Sequence, residues 1–145
     1  MKKKMIIFDI DGTLYDNNTK CLYQSTIDCI KKLYDEGHEL VIASGRSYPM
    51  IDNVEEIKKY INNYILINGQ LILRNGETIY KECIETDKLR ILLRDFEKAG
   101  IPYGCISSTG ERLNRVNSDV EYAYSSFRLK EPVIDKDYYL KEDIY

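Results

Sequence analysis

An α/β fold organised on a parallel sheet is the class this sequence predicts. Met5-Ile6-Ile7-Phe8 is an unbroken apolar run, the pattern of a strand buried on both faces. Two more short apolar runs, Glu39 to Ala43 and Tyr64 to Ile67, follow it, each after a stretch with helical spacing. Strand, helix and strand alternating over short links predict parallel pairing through right-handed crossovers.

The elements follow in order. Phe8 runs directly into Asp9-Ile10-Asp11-Gly12-Thr13-Leu14, and the polar segment Tyr15 to Lys20 reads as a loop, with Asp16-Asn17-Asn18 as its turn. A helix is expected over about Leu22 to Glu36, because Ile27, Ile30, Leu33 and Tyr34 make one apolar stripe. Gly37 stops it. His38, the only histidine, is a turn residue before the strand at Glu39 to Ala43. That strand ends in the small polar string Ser44-Gly45-Arg46-Ser47. Pro49 suits the first turn of a helix reaching about Ile61, with Ile51, Val54, Ile57 and Ile61 on one face. The strand at Tyr64 to Ile67 ends at Asn68-Gly69, and Asn75-Gly76 joins Leu71 to Arg74 and Glu77 to Tyr80 as a hairpin.

From about Glu82 the pattern changes, so residues 1–82 and 83–145 are expected to be two bodies. Thr86 is placed to cap a helix through Ala99, with Leu89, Leu92, Leu93 and Phe96 as its buried stripe and Gly100 and Pro102 ending it. Tyr103 to Ser107 reads as a strand and Thr109-Gly110 as a turn. The tyrosine-rich remainder, Glu111 to Tyr145, has weak periodicity, with one short helix expected at Ser118 to Phe127.

Composition narrows the functional classes. At 145 residues, with 43% hydrophobic and 31% charged residues, the chain is long enough for a real core. A net charge of −3 with mixed signs gives no basic field for nucleic acid, and no apolar run has membrane-spanning length. Met1-Lys2-Lys3-Lys4 leads straight into strand residues, unlike a signal peptide. Cys21, Cys29, Cys83 and Cys105 have no CxxC spacing and no partner histidines. They read as reduced thiols of a cytoplasmic protein.

The chemistry is concentrated where the first apolar run ends. In a strand, residues i and i+2 share a face, so Asp9 and Asp11 point toward one centre at the strand's carboxyl end, where open α/β sheets hold ligands. Two close carboxylates repel unless a cation or a proton lies between them, which makes a divalent metal the first expectation. Taken alone, the pair is equally compatible with a solvated turn. Ser44-Gly45 beside it offers a hydroxyl and backbone amides to a phosphoryl group, or is a plain strand-to-helix turn. Arg46 is a clamp for phosphate or carboxylate, or simply a solvent-facing arginine. Asn68-Gly69 is a second polar strand end, or only a turn.

Phe8-Asp9-Ile10-Asp11-Gly12-Thr13-Leu14 resembles the first motif of the haloacid dehalogenase superfamily of aspartate-nucleophile phosphatases. Ala43-Ser44-Gly45-Arg46 looks like the second motif, and Ile67-Asn68-Gly69 with its hairpin is similar to the Cof-type branch. That branch inserts an α/β cap after the third strand. The resemblance implies a Rossmann-like core over residues 1–82 and the beginning of the cap over 83–145. It implies a Mg²⁺-dependent phosphatase acting on small phosphorylated metabolites, such as sugar phosphates or phosphorylated cofactors. Asp9 would be the nucleophile and Asp11 the acid and base. Both would serve the metal, Asp9 by its side chain and Asp11 by its backbone carbonyl. Gly12, Thr13, Ser44 and Gly45 would bind phosphate, and Arg46 and Asn68 would contact substrate.

Two parts of the family pattern are not evident: a lysine, and a Gly-Asp-x-x-x-Asp-like segment completing the metal site. Asp135-Lys136-Asp137 lacks the apolar strand and glycine that should precede it. The expectation is a chain that ends inside the cap, with impaired activity. Its first strand would then form an apolar sheet edge open to self-association. Two other functions stay open: a non-catalytic module binding phosphate or Mg²⁺, and a receiver-like domain phosphorylated on Asp9. Asp11-Gly12-Thr13 and the second body argue against the receiver.

Overall fold

The computed structural model describes residues 2–127 and 131–145 and divides into two compact units, Met1–Glu82 and Cys83–Tyr145. The stretch 128–130, inside the tyrosine-rich remainder, lies outside the described residues. Among the described residues no helix is long and apolar enough to cross a membrane.

The first unit is built on a five-stranded sheet in the order β1 (Met5–Phe8), β2 (Glu39–Ala43), β3 (Asn63–Leu66), β4 (Leu71–Arg74), β5 (Glu77–Lys81). The first three strands are parallel and the last two turn back antiparallel. This is the expected α/β class with a Rossmann-like arrangement. Interior β2 is the most buried strand, with Leu40, Val41 and Ile42 in a row inside. β1 is the sheet edge that the sequence leads one to expect, but it is not covered on both faces. It lies at the sheet edge, paired only with β2, and its burial alternates, leaving Met5 60% and Ile7 53% exposed. An apolar run therefore does not guarantee two covered faces; neighbours decide that.

Helix α1 (Gln24–Asp35) joins β1 to β2 and buries Ile30. It stops at Gly37, whose φ of +78° admits the left-handed turn. The Gly37 amide donates to the Tyr34 carbonyl and the His38 amide to that of Leu33, a Schellman closure. His38 Nδ1 accepts the Lys4 amide at 3.2 Å, so the lone histidine ties the helix exit to the start of β1.

The stretch expected as a helix to Ile61 is broken. It forms two 3-10 turns, Tyr48–Met50 and Asp52–Val54, followed by the single-turn α2 (Glu55–Lys58). Its apolar stripe is nonetheless fully inside, with Ile51, Val54 and Ile57 at 0% and Ile61 at 1% exposure. The reason is in the spacing. Positions 51, 54 and 57 recur every three residues, the period of a 3-10 turn, so these side chains share a face without a regular α-helix. Tyr64 of β3 is buried beneath them and donates its hydroxyl to the Ile61 carbonyl at 2.7 Å.

The β4–β5 hairpin turns at Asn75 and Gly76, both at positive φ (+51° and +81°), as the Asn-Gly pair predicts.

The second unit packs α3 (Thr86–Lys98) on Cys105 of the two-stranded sheet β6 (Gly104–Ser107) and β7 (Gly110–Leu113). Leu89, Leu93, Tyr138 and Ile144 complete its core. Thr86 is the first helical residue and not the cap; Glu85 holds that position without a side-chain hydrogen bond. Gly100 at φ +70° ends the helix in the same closure as Gly37. Leu92 faces outward, 47% exposed. β7 has no counterpart in the expected elements. It is short and mixed, and its backbone is satisfied by β6 and by the Leu113 to Asp135 contacts. Helix α4 (Ser118–Phe127) forms where its short pattern is expected.

Candidate active site

Ile10 organises the strand end. Its side chain is wholly buried, which turns its neighbours Asp9 and Asp11 outward, and both are exposed. Its carbonyl accepts the amides of Thr13, Leu14 and Tyr15 at 2.9 to 3.2 Å. Those three bonds coil the chain tightly past Asp11. Gly12 makes the coil possible: φ is +78°, and its amide donates to the Tyr15 carbonyl at 2.9 Å. Beyond it, Asp16 accepts the Tyr23 hydroxyl at 2.8 Å and the Asn18 amide at 2.7 Å. Those hydrogen bonds, Tyr23's first, hold its carboxyl below the usual range.

The neighbouring strand end is placed by register. Phe8 pairs with Ile42, so the continuation brings Asp9 level with Ala43 and sets Ser44 alongside the Asp9–Asp11 segment. Ser44 is 8% exposed and its amide donates to Ile65 at 2.9 Å. Its hydroxyl oxygen accepts the Arg46 amide at 3.2 Å, which leaves the hydroxyl proton available for a phosphoryl oxygen. Two amides of the third strand end close on the same loop. Asn68 donates to the Ser44 carbonyl at 3.3 Å and Ile67 to the Arg46 carbonyl at 3.2 Å.

These contacts require an unusual backbone. Ile67, Asn68 and Gly69 all lie at positive φ (+50°, +53° and +95°). For a β-branched isoleucine that is a costly conformation, maintained only where the surroundings impose it. It places the Asn68 side chain against Gly45, where an added Cβ would stand 3.0 Å from Asn68 Oδ1. Asn68 and Gly45 are therefore matched in size.

Arg46 is not directed at open solvent. Its Nε and Nη2 donate to the two Asp11 carboxylate oxygens at 3.0 and 2.8 Å, and Nη1 donates to the Met50 carbonyl at 3.0 Å. The Met50 carbonyl and the left-handed Ile67 belong to this site too, yet neither carries a signal in the sequence. Only the Asn68-Gly69 pair hints at the turn.

So Asp9, Asp11, Gly12, Thr13, Ser44, Gly45, Arg46 and Asn68 all belong to the three strand ends of one unit. Their direct bonds link Asp11 to Arg46, Arg46 to Ser44, and Ser44 to Asn68. Among the described residues no cluster of three or more His, Cys, Asp or Glu side chains is arranged to hold a metal.

A family model described as haloacid dehalogenase-like hydrolase matches residues 6–145. The chain belongs to that hydrolase family. Over 102 residues the family member is 35% identical to "Putative phosphatase YkrA" of Bacillus subtilis, covering 70% of this chain and 39% of that protein. It is 29% identical over 100 residues to a phosphoglycolate phosphatase of Sulfolobus acidocaldarius, covering 65% of this chain and 40% of that one. A solved protein of Geobacillus kaustophilus superposes with a TM-score of 0.91 at 30% identity, over 99% of this chain and 56% of that one. The subclass IIB sugar phosphatase BT4131 gives 0.77 at 26%, over 99% and 56%. The hydrolase-family chain thus spans about half the length, or less, of the relatives it matches.

Proposed function

We propose that this chain carries the nucleophile half of a Mg²⁺-dependent phosphatase for small phosphorylated metabolites. The observation that carries the reading is the exposed Asp9 and Asp11 flanking buried Ile10, beside the Ser44–Arg46 loop. Asp9 attacks phosphorus as the bond to the leaving oxygen breaks, giving an aspartyl-phosphate. Asp11 gives that oxygen its proton, then takes one from the water that hydrolyses the acyl phosphate. Ser44 donates its hydroxyl to a phosphoryl oxygen and Gly45 offers its backbone amide to another, while Gly12 and Thr13, whose amides are bonded to the Tyr15 and Ile10 carbonyls, shape the loop around the phosphate. Asn68 contributes to substrate contact.

The donor set suits Mg²⁺, since both candidate ligands are hard oxygens and this ion keeps several waters. As the family resemblance implies, Asp9 by its side chain and Asp11 by its carbonyl would hold the ion, which is compatible with the Asp11 carboxylate being engaged by Arg46. Bound there, it neutralises phosphate charge that would otherwise repel the Asp9 carboxylate. The sugar phosphatase and phosphoglycolate phosphatase among the relatives support a small phosphorylated metabolite as substrate. Residues 83–145 are read as the first part of a cap that selects it. The apolar β1 edge belongs to the same reading as a place of self-association, which a concentration-independent monomer in sedimentation would remove.

The second reading is a non-catalytic phosphate- or Mg²⁺-binding module, favoured by the absence of a third acidic ligand among the described residues. p-Nitrophenyl phosphate hydrolysis with Mg²⁺ separates the two. The phosphatase reading expects turnover that Asp9→Asn lowers by about a thousandfold or more. Metal binding without turnover in either protein supports the module.

A further inference from the structure

We infer that Arg46 is a positioning residue that fixes the direction of the Asp11 carboxylate, not a free clamp for substrate phosphate. The inference rests on the proposed role of Asp11 as acid and base.

Three observations carry it. The guanidinium meets both Asp11 oxygens in a two-point fork, at 3.0 and 2.8 Å, across 35 residues of sequence. Such a fork sets the plane of the carboxylate as well as its distance, which a single contact cannot do. Next, the arginine is itself held at several points. Nη1 donates to the Met50 carbonyl, its amide donates to Ser44 Oγ, and its carbonyl accepts the Ile67 amide. The last bond depends on the left-handed Ile67, so backbone strain is kept where it steadies Arg46. Finally, the guanidinium is part-buried, its side chain 34% exposed, and three of its five N–H groups are engaged. Seizing a phosphate with the fork would mean abandoning Asp11.

Each Asp11 oxygen still has a second lone pair, so the fork can persist while the carboxyl exchanges a proton with a leaving oxygen. A general acid works only within hydrogen-bond reach of the atom it protonates, so orientation is a rate term. Lysine cannot replace the fork, because its ammonium is a point charge on a flexible stem.

The test uses leaving groups. p-Nitrophenolate departs without a proton, whereas the alkoxide of ethyl phosphate needs one. With Mg²⁺ and the full chain, Arg46→Gln is expected to lower kcat/KM on ethyl phosphate about tenfold or more, since that ratio reads phosphoryl transfer to Asp9 and not the later water step common to both esters. On p-nitrophenyl phosphate the loss in kcat/KM should be less than about threefold. Arg46→Lys should resemble Arg46→Gln, and Asp11→Asn should show the same split more strongly. A parallel rise in KM for both esters would make Arg46 a substrate clamp and overturn the inference. An equal kcat/KM loss on both would make it merely structural, with the same consequence.

Turnover surviving Asp9→Asn would remove the phosphatase reading and this inference with it. Asp9-dependent turnover with equal effects on the two esters removes this inference alone. A chain that turns over neither ester is judged by a double-mutant cycle of Arg46→Gln and Asp11→Asn in chemical unfolding. Coupling of about two- to fivefold in the unfolding constant supports the fork, and strict additivity overturns it.

Discussion

Each unit places a buried serine where a strand ends, and the two serines have opposite surroundings. Ser44 follows β2 at 8% exposure, and its neighbours are an arginine, an asparagine and a strand end with two exposed carboxylates. Ser107 closes β6 at 0% exposure and meets two hydroxyls and the Thr109 amide, with no charged group among its partners. Its Oγ is hydrogen-bonded to the Tyr138 hydroxyl and, at 2.9 Å, to Thr109 Oγ1, which reaches Tyr138 at 2.6 Å. That triangle, joined by the Thr109 amide, holds Tyr138 in the core of its unit. A buried serine at a strand end is therefore no marker of chemistry. Unspent donors facing charged, accessible groups are what distinguish Ser44.

The contrast is strongest at Tyr138. Tyr138→Ala removes a buried ring and the apex of the triangle, so it should cost about 3–5 kcal/mol in chemical unfolding of the second unit. A cost below about 1 kcal/mol would mean the triangle is decorative. The two serines come next. Ser44→Ala should reduce phosphatase turnover about a hundredfold while changing stability by less than about 1 kcal/mol. Ser107→Ala should do the reverse, losing about 1 kcal/mol and leaving turnover within about threefold. Matching behaviour of the two variants in both assays would erase the distinction.

Gly45→Ala sharpens the comparison on the Ser44 side. Its methyl would stand 3.0 Å from Asn68 Oδ1, so the asparagine must shift. Turnover should fall several-fold, with stability changed by about 1 kcal/mol, and Asn68→Gly should relieve the crowding. The smallest effect is a pH dependence in the second unit. Burial, followed by the charge of Glu97, pushes the Tyr103 phenol up to about 12 from its usual 10. A raised value contributes stability below the unfolded pKa that is lost as pH rises through the folded one. Circular dichroism should thus show unit-two stability declining between about pH 10 and 12, less steeply in Tyr103→Phe.

Several features were legible because they depend on a few adjacent residues. Glu39–Ala43 is a strand with the expected bounds, Asn75-Gly76 is the hairpin turn, and Gly37 ends its helix. The stripe Ile51, Val54, Ile57 and Ile61 is inside as expected, although its backbone is not a continuous helix. Periodicity reports which side chains are buried more reliably than how the chain winds between them. β7 went unseen because a short mixed strand is created by its partners. Thr86 has the side chain of a cap, but the helix begins one residue early and leaves it unused.

The sequence by itself determined the order of the chemistry: an apolar run into Asp9 and Asp11, a glycine that permits the coil, a second strand end with Ser44 and Arg46. These follow from side-chain alternation and backbone sterics, which act within a few residues. Only the tertiary structure decided that Arg46 holds Asp11, that Ile67 takes a left-handed conformation to brace it, and that β1 leaves Met5 and Ile7 exposed. Those outcomes depend on strand order and register, which bring together groups some twenty to thirty-five residues apart, a distance at which local propensity has no influence.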